Sequence, residues 1–598
     1  MYSISQLIEI ARRKYPYSLQ RKILGTLTSF HRIQGSKGLW DAVGFLKNVL
    51  EENGVGAKIY RVENEEELGL INAPPGWDLK YGEIIVYEDG EKIAQYNTIE
   101  HPTLVAAHSP KGSGRSKLVH AEIMKSSQLE GKAVLTKERA SMAYIASENK
   151  GLELIVWYSP ERNPLGVPYT GLFLPKKILD KIGIPVVTLP YKMVSRILSK
   201  ISMGVEYEIE WNVDTEYSSI GLPVLEACIG DGEYDIIATA HICHPMPGAH
   251  DNASGSTALA TAIITLNNML RQISPNTRIC FYWIPEHIGT IALFKRRIVK
   301  PDKIIGAINY DMVGSIQSIT GSTLHIIRSL LYNAGAITPI VNLALNTILR
   351  NGRTFHGQPS IGTIRFDEMP YDAGSDHDIF VINGVEAVMV NEWPSKYYHT
   401  DLDMPSTLGE RELSLVALGL VLSVALASNP RLYKDGLMNY VKNYYGHLTT
   451  WYGMEAVSRN KDYGFITSLI SRLVSKALQK ALDWIEKQVL KEYKASGNAP
   501  VYTSSSYISS LKIASELGID TYKAITKDPK ISQIILLMFP ALAKGEFEIP
   551  TIIDISLAEL VLSPNDVKIE YKGLKGYSAL RKLVTDIAEW LKSKNALK

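Results

Sequence analysis

At 598 residues the chain is too long for a single hydrophobic core, and three or four domains are expected. Its hydrophobic share of 45% and charged share of 21% are those of an ordinary globular protein. Sixty-four basic against sixty-two acidic residues leave a net charge of +2, which argues against nucleic acid or an anionic membrane as partner.

In chain order, MYSISQLIEIARRKYPYS places charges where a signal peptide needs an apolar stretch, so no secretion signal is expected. Residues 1–75 read as a helical lead-in. Within it, GLWDAVGFLKNVLEENG at 38–54 carries Val43, Leu46 and Leu50 on one face and stops at Gly54. NAPPGWDLKYGE at 72–83 marks a boundary. From 76 to 208 short strands alternate with helices: GKAVLT at 131–136, LELIVWY at 152–158, and IPVVTLP at 184–190 before the helix YKMVSRILSKI. This is expected to be a small α/β insert of its own.

Residues 209–430 alternate buried-type strands with helices, which predicts an α/β domain with a mostly parallel or mixed sheet and helices on both faces. LSLVALGLVLSVALA at 413–427 is shorter than the roughly 20 residues of a membrane span. Glu412 and Asn429-Pro430 bound it as a buried helix. From 431 to 598 the composition turns helix-rich. Between Phe465 and Tyr493 the residues Leu469, Leu473, Ala477, Ala481, Ile485 and Val489 form one apolar stripe. A second copy of the chain covering that stripe would make a homo-oligomer. The last 100 residues mix short helices with IPTIIDI at 549–555 and carry no assignable chemistry. Cys228, Cys243 and Cys280 lack CxxC spacing and are too few for a disulfide framework, so free thiols in a reducing, cytoplasmic setting are expected.

Four islands carry the chemistry: HICHPMPGAHDNASG at 241–255, PEHIGT at 285–290, NYDMVG at 309–314 and YHTDLD at 398–403. IIATAH is an apolar run breaking at His241, RICFYWIPE one breaking at Glu286, and KIIGAINYD one breaking at Asp311. Polar residues just past consecutive buried strands are where open α/β sheets bind ligands. His241, Asp251, Glu286, His287, Asp311 and His399 together offer mixed nitrogen and oxygen ligands plus a spare carboxylate, as a two-metal hydrolytic site requires. An Asp before a helix is also a common N-cap, so Asp251 has a purely structural reading as well.

In order and wording these islands resemble the M28 family of co-catalytic zinc aminopeptidases. That family shows an Asp-Asn/Asp-x-Ser-Gly turn, a Glu-Glu pair, an Asn-x-Asp-Met strand end and a Tyr-His-Thr. The resemblance covers about 215–430, including GSDHDIFVINGVEAVMV at 374–390. HRIQGSKGLWDAVGFLKNVLEENG is similar to the helical lead-in of the same enzymes, and 76–208 resembles a protease-associated insert. HICHP with its Pro-Gly loop resembles a prokaryotic subgroup.

The resemblance implies a metal-dependent aminopeptidase acting on peptides with two divalent ions, zinc first, with cobalt or nickel also suited. Asp251 would bridge them, His241 and Asp311 would complete one site, and His399 and His287 the other. Glu286 would be the general base, and Tyr398 would polarise the substrate carbonyl. The Asp376 and His377 pair would support the site without holding metal.

The chain departs from the family at two positions. His287 stands where a second Glu is usual, leaving the site one negative charge poorer. Cys243 stands where an acidic residue follows the first His, so Cys243 or His244 could take a supporting or ligand role. A carboxypeptidase or amidohydrolase on the same scaffold, and a non-catalytic peptidase-like binding protein, are the rival readings.

Overall fold

The computed structural model describes residues 2–350, 364–490 and 516–597, with residues 502, 504 and 513 and the backbone of 352–353 and 359–360. The stripe segment's last predicted residues, 491–493, lie outside the described residues.

Three helices, Ile4–Lys14, Tyr17–Leu27 and Lys37–Glu52, open the chain. Lys37–Glu52 buries Leu39, Val43, Leu46 and Leu50, one face at three- and four-residue spacing, as its sequence pattern predicts. The lead-in then supplies strand Ala57–Val62 to the edge of the main sheet.

That sheet has eight strands in the order Ala57–Val62, Leu222–Ile229, Arg278–Ile284, Asp235–His241, Ile304–Asp311, Ala387–Trp393, Thr323–Ile327 and Phe366–Met369. The central four run parallel and the outer pairings include antiparallel ones, so the sheet is mixed. Asp235–His241 and Ile304–Asp311 are buried along their whole length, because helices cover both faces. Helix Glu410–Ser428 is one of these covering helices. It is long and apolar enough to cross a membrane, but its most apolar window is 83% buried in the fold.

A second, seven-stranded sheet runs from Gly76 to Ser218. Its central strands alternate cleanly. Ala133, Leu135, Leu154 and Val156 pack on one face, and Val134 and Ile155 on the other, so the insert owns a core on each side. Strand Tyr207–Ser218 pairs with Gly76–Glu88 over its whole length, which carries this sheet ten residues beyond the expected boundary at 208.

The helix-rich C-terminal region shares the core of the main sheet. Helix Tyr463–Lys487 buries Ile466, Ile470, Leu473, Ala477, Ala481 and Trp484 against helices Lys434–Ser458 and Ile549–Glu559 of the same chain. Of the stripe expected to face a second subunit, Leu473, Ala477, Ala481 and Ile485 are covered within the chain and Leu469 is half-buried, while Val489 lies past the helix and is exposed; the covered part supplies no reason for an oligomer. IPTIIDI opens the helix Ile549–Glu559, with Pro550 in the first turn where its missing N–H costs nothing.

The expectation of free thiols fails at two of the three cysteines. Cys228 and Cys280 face each other across antiparallel strands and form a disulfide, with Cα atoms 4.2 Å apart. Register creates that pairing, and spacing in sequence does not announce it.

Candidate metal centre

The parallel strands end together, and their ends carry the site. His241 closes Asp235–His241, Asp311 closes Ile304–Asp311, and Glu286 follows Arg278–Ile284 by two residues. Asp251 sits in the irregular turn Ala249–Ser254 that leads into helix Gly255–Asn268. Asp403 fixes that turn: its two oxygens accept the backbone N–H of His250 and of Asp251, each at 2.9 Å. The backbone around Asp251 is thus fixed independently of any capping role of its side chain.

Two groups of potential metal ligands share Asp251: His241, Asp251 and Asp311 in one, His244, Asp251 and His399 in the other, with the donor atoms of each group within 4.8 Å of one another. His241 Nε2 lies 3.2 Å from one Asp251 oxygen and 3.3 Å from Asp311. His244 and His399 face the other Asp251 oxygen at 3.3 and 3.1 Å. The Nδ1 atoms of His241 and His244 each lie 3.1 Å from a backbone carbonyl, of Cys243 and Pro245, so Nδ1–H donates and Nε2 is turned toward the carboxylates. His244 Nε2 is buried and makes no hydrogen bond. Three imidazole nitrogens converging on one carboxylate, one of them orphaned, is a donor set suited to divalent cations.

The electrostatics agree. Burial works to raise the Asp251 pKa, but His244, His241 and His399 outweigh it and hold the group well below the usual carboxylate range. Burial pulls His399 down to about 4, leaving a neutral imidazole. Burial also works to lower His241, but Asp311, Glu286 and Asp251 overcome it and raise its pKa. Metal binding at such nitrogens displaces a proton, so affinity at these groups depends on pH.

His287, expected as a ligand, belongs to neither group. It holds a φ of 58°, and its N–H donates to Asp376 Oδ1 at 2.8 Å at the start of helix Ile288–Lys295. Its ring lies 3.8 Å from Glu286. His244 stands with Asp251 and His399 instead. Asp376 also accepts from Thr290 at 2.6 Å, and His377 Nε2 lies 2.9 Å from the Asp372 carbonyl, so that pair braces the loops around the site. Cys243 Sγ accepts the Glu286 N–H at 3.1 Å. Glu392 is fully buried and holds His250 at 3.2 Å and the Ser315 N–H at 2.6 Å.

Glu286 lines the cavity outside both ligand groups. Burial in the surrounding protein pushes it up to about 7, with His241 and His287 opposing. Tyr398 stacks on His399 at 3.8 Å, and burial raises its pKa, so the phenol stays protonated.

Several supporting residues give no sequence signal. The buried guanidinium of Arg32 donates to the carbonyls of Leu27, Ile242 and Gly248 and ties the His241–Asp251 loop to the lead-in. Gly248, at φ 48°, leaves no room for a side chain, because a Cβ would collide with the His244 ring and the Asp251 carbonyl. Tyr169 of the insert donates its N–H to the His399 carbonyl at 2.7 Å, and its ring packs edge-on against both His244 and His399. The site opens into a cavity of about 560 Å³, with Trp157, Arg162 and Phe173 of the insert in its wall.

This fold and this pair of ligand groups define a metallopeptidase core. Residues 228–421 match the family model of Peptidase family M28. No curated protein sequence matches the chain. Among solved structures the chain is similar to a Peptidase M28 precursor from Shewanella amazonensis, at 14% identity and a TM-score of 0.52 over 71% of this chain and 95% of that one. It is also similar to a protein of Clostridium acetobutylicum described as a peptidase, at 13% identity and a TM-score of 0.50 over 100% of both chains. A zinc aminopeptidase from Bacillus subtilis aligns at 14% identity and a TM-score of 0.48, over 68% of this chain and 94% of that one. At these identities the likeness to the first two is one of fold.

Proposed function

We propose that this metallopeptidase is an aminopeptidase that removes residues from the free N-terminus of peptides, using two divalent ions, zinc first. The observation that carries the reading is one carboxylate, Asp251, shared by two ligand groups, with a second carboxylate, Glu286, beside both and in neither. His241, Asp251 and Asp311 would hold one ion and His244, Asp251 and His399 the other. Bound there, the ions supply Lewis acidity and bring the pKa of water toward neutrality.

The remaining work falls to the chain's own residues. Glu286 accepts the proton of the attacking water and returns it to the leaving amine. The Tyr398 hydroxyl donates to the carbonyl oxygen as negative charge develops on it. Asp311 and Asp372, which also line the cavity, suit the positive charge of a free amine.

The test is to offer oligopeptides with free and with acetylated N-termini to the zinc-loaded protein. Stepwise release from the free-amine peptides only, stopped by a chelator, supports the reading. Cleavage of acetylated peptides at internal bonds, or from the carboxyl end, refutes it.

A further inference from the structure

Among the described residues, the cavity wall contains one strong cation, Arg162, and no carboxylate neutralises it. Arg162 lies on the insert loop that ends at Tyr169. The core pins this loop: the Val167 N–H donates to Asp401 at 2.9 Å, Pro168 bridges Thr400, and the Tyr169 N–H meets the His399 carbonyl. The Arg162 guanidinium carbon sits 4.5 Å from the centroid of the Tyr398 ring, which itself stacks at 3.8 Å on His399. Guanidinium, phenol and imidazole thus form a three-layer stack from the cavity wall down to the metal ligands.

Arg162 Nε is buried and has no hydrogen-bond partner, and no carboxylate pairs with this guanidinium among the described residues. Other arginines in the fold are satisfied. Arg32 is met by backbone carbonyls, and Arg278 forms a two-pronged pair with Asp235 at 2.8 and 2.7 Å. Buried donors left unmatched are costly, and a planar guanidinium fork matches a carboxylate. Of the acids lining the cavity, Asp251, Asp311 and Glu286 are committed to the metal groups and to proton transfer.

Resting on the aminopeptidase reading, we propose that Arg162 binds a carboxylate of the peptide substrate and tunes the enzyme to short peptides. An extended peptide advances roughly 3.3–3.6 Å per residue. Two ring layers therefore correspond to one or two residues beyond the scissile bond. The carboxylate is the free C-terminus of a di- or tripeptide, or an acidic side chain at the same reach.

The experiment compares kcat/KM for Leu-Ala and Leu-Ala-amide, and for Leu-Glu-amide and Leu-Gln-amide, in the wild type, Arg162→Ala and Arg162→Lys. If the C-terminus is read, the wild type favours Leu-Ala over its amide by about 10- to 100-fold. That ratio falls to about one in Arg162→Ala and lies between in Arg162→Lys, which keeps the charge but loses the fork. If an acidic side chain is read, the same pattern appears in the Glu/Gln pair instead. Wild-type ratios near one in both pairs overturn the proposal. So does an equal fall on all four peptides in Arg162→Ala, which would make Arg162 only a prop for Tyr398. Calorimetry with the reduced-amide analogue of Leu-Ala and with its C-terminal amide gives the same ratio without turnover. If N-acetyl-Leu-Ala is cleaved, the aminopeptidase reading fails while the binding ratio still decides the role of Arg162.

Discussion

Replacing His244 by Ala separates the ligand set proposed above from the one implied by family resemblance. His244 is one of three protein donors in its group, is 5% exposed, and has Nε2 aimed at Asp251. Structural zinc held by four protein donors is bound by about 10–16 kcal/mol at neutral pH, or about 2.5–4 kcal/mol per donor. Water entering the vacated space recovers part of that loss. A net loss of about 3 kcal/mol corresponds to roughly 100-fold weaker binding of one ion. His287→Ala removes no donor from either group and is expected to keep both ions. The assay is zinc content by atomic absorption after dialysis against graded free zinc, with each variant run beside the wild type. His244→Ala is expected to retain one tightly held ion and to release the other about 100-fold more readily. Two tight ions in His244→Ala, together with one in His287→Ala, would return the ligand role to His287 and refute the assignment.

Glu286→Gln is expected to keep the wild-type zinc content and lose kcat by about 10²–10⁴-fold, the scale of general-base catalysis, read by peptide hydrolysis and metal analysis on the same sample. Gly248→Ala forces a side chain into the left-handed region, at a cost of roughly 1–2 kcal/mol before it displaces the His244 ring, so both the melting temperature and the zinc content should fall. His101 Nδ1 lies 2.5 Å from Asp401, and that hydrogen bond raises its pKa above the unfolded value. Its contribution, about 1 kcal/mol for a partly exposed pair, is complete below the unfolded pKa of about 6.5 and disappears as pH rises through the higher folded value. The melting-temperature gap between wild type and His101→Ala should therefore be widest near pH 6 and close in alkali; a gap that grows with pH refutes this.

His241, Asp311 and Glu286 were legible in sequence because each breaks an apolar run, and a strand buried on both faces delivers its next polar residue to the sheet's edge. His399 and Asp251 were legible only through the wording of their motifs. His244 stayed open, because a second His in HICHP can point either way and only the carbonyl of Pro245 fixes its ring. Tyr169, Arg162 and Arg32 were invisible, since they reach the site from sequence positions 70 or more residues upstream of His241 through tertiary packing. The Cys228–Cys280 bond was missed for the same reason, being set by strand register. The stripe on Tyr463–Lys487 was read correctly as apolar, but periodicity says nothing about whether the covering surface belongs to the same chain.

The insert holds the Tyr398–His399 turn through the amide of Tyr169, the Asp401 carboxylate and the Pro168–Thr400 bridge. Peeling the insert away from the main sheet would free that turn even with the eight-stranded core still intact. Because partial opening needs less free energy than global unfolding, the catalytic machinery comes apart before the scaffold does. Heat inactivation should accordingly precede the bulk melting transition, and excision of residues 76–218 would leave a folded sheet with an incomplete centre rather than a smaller enzyme.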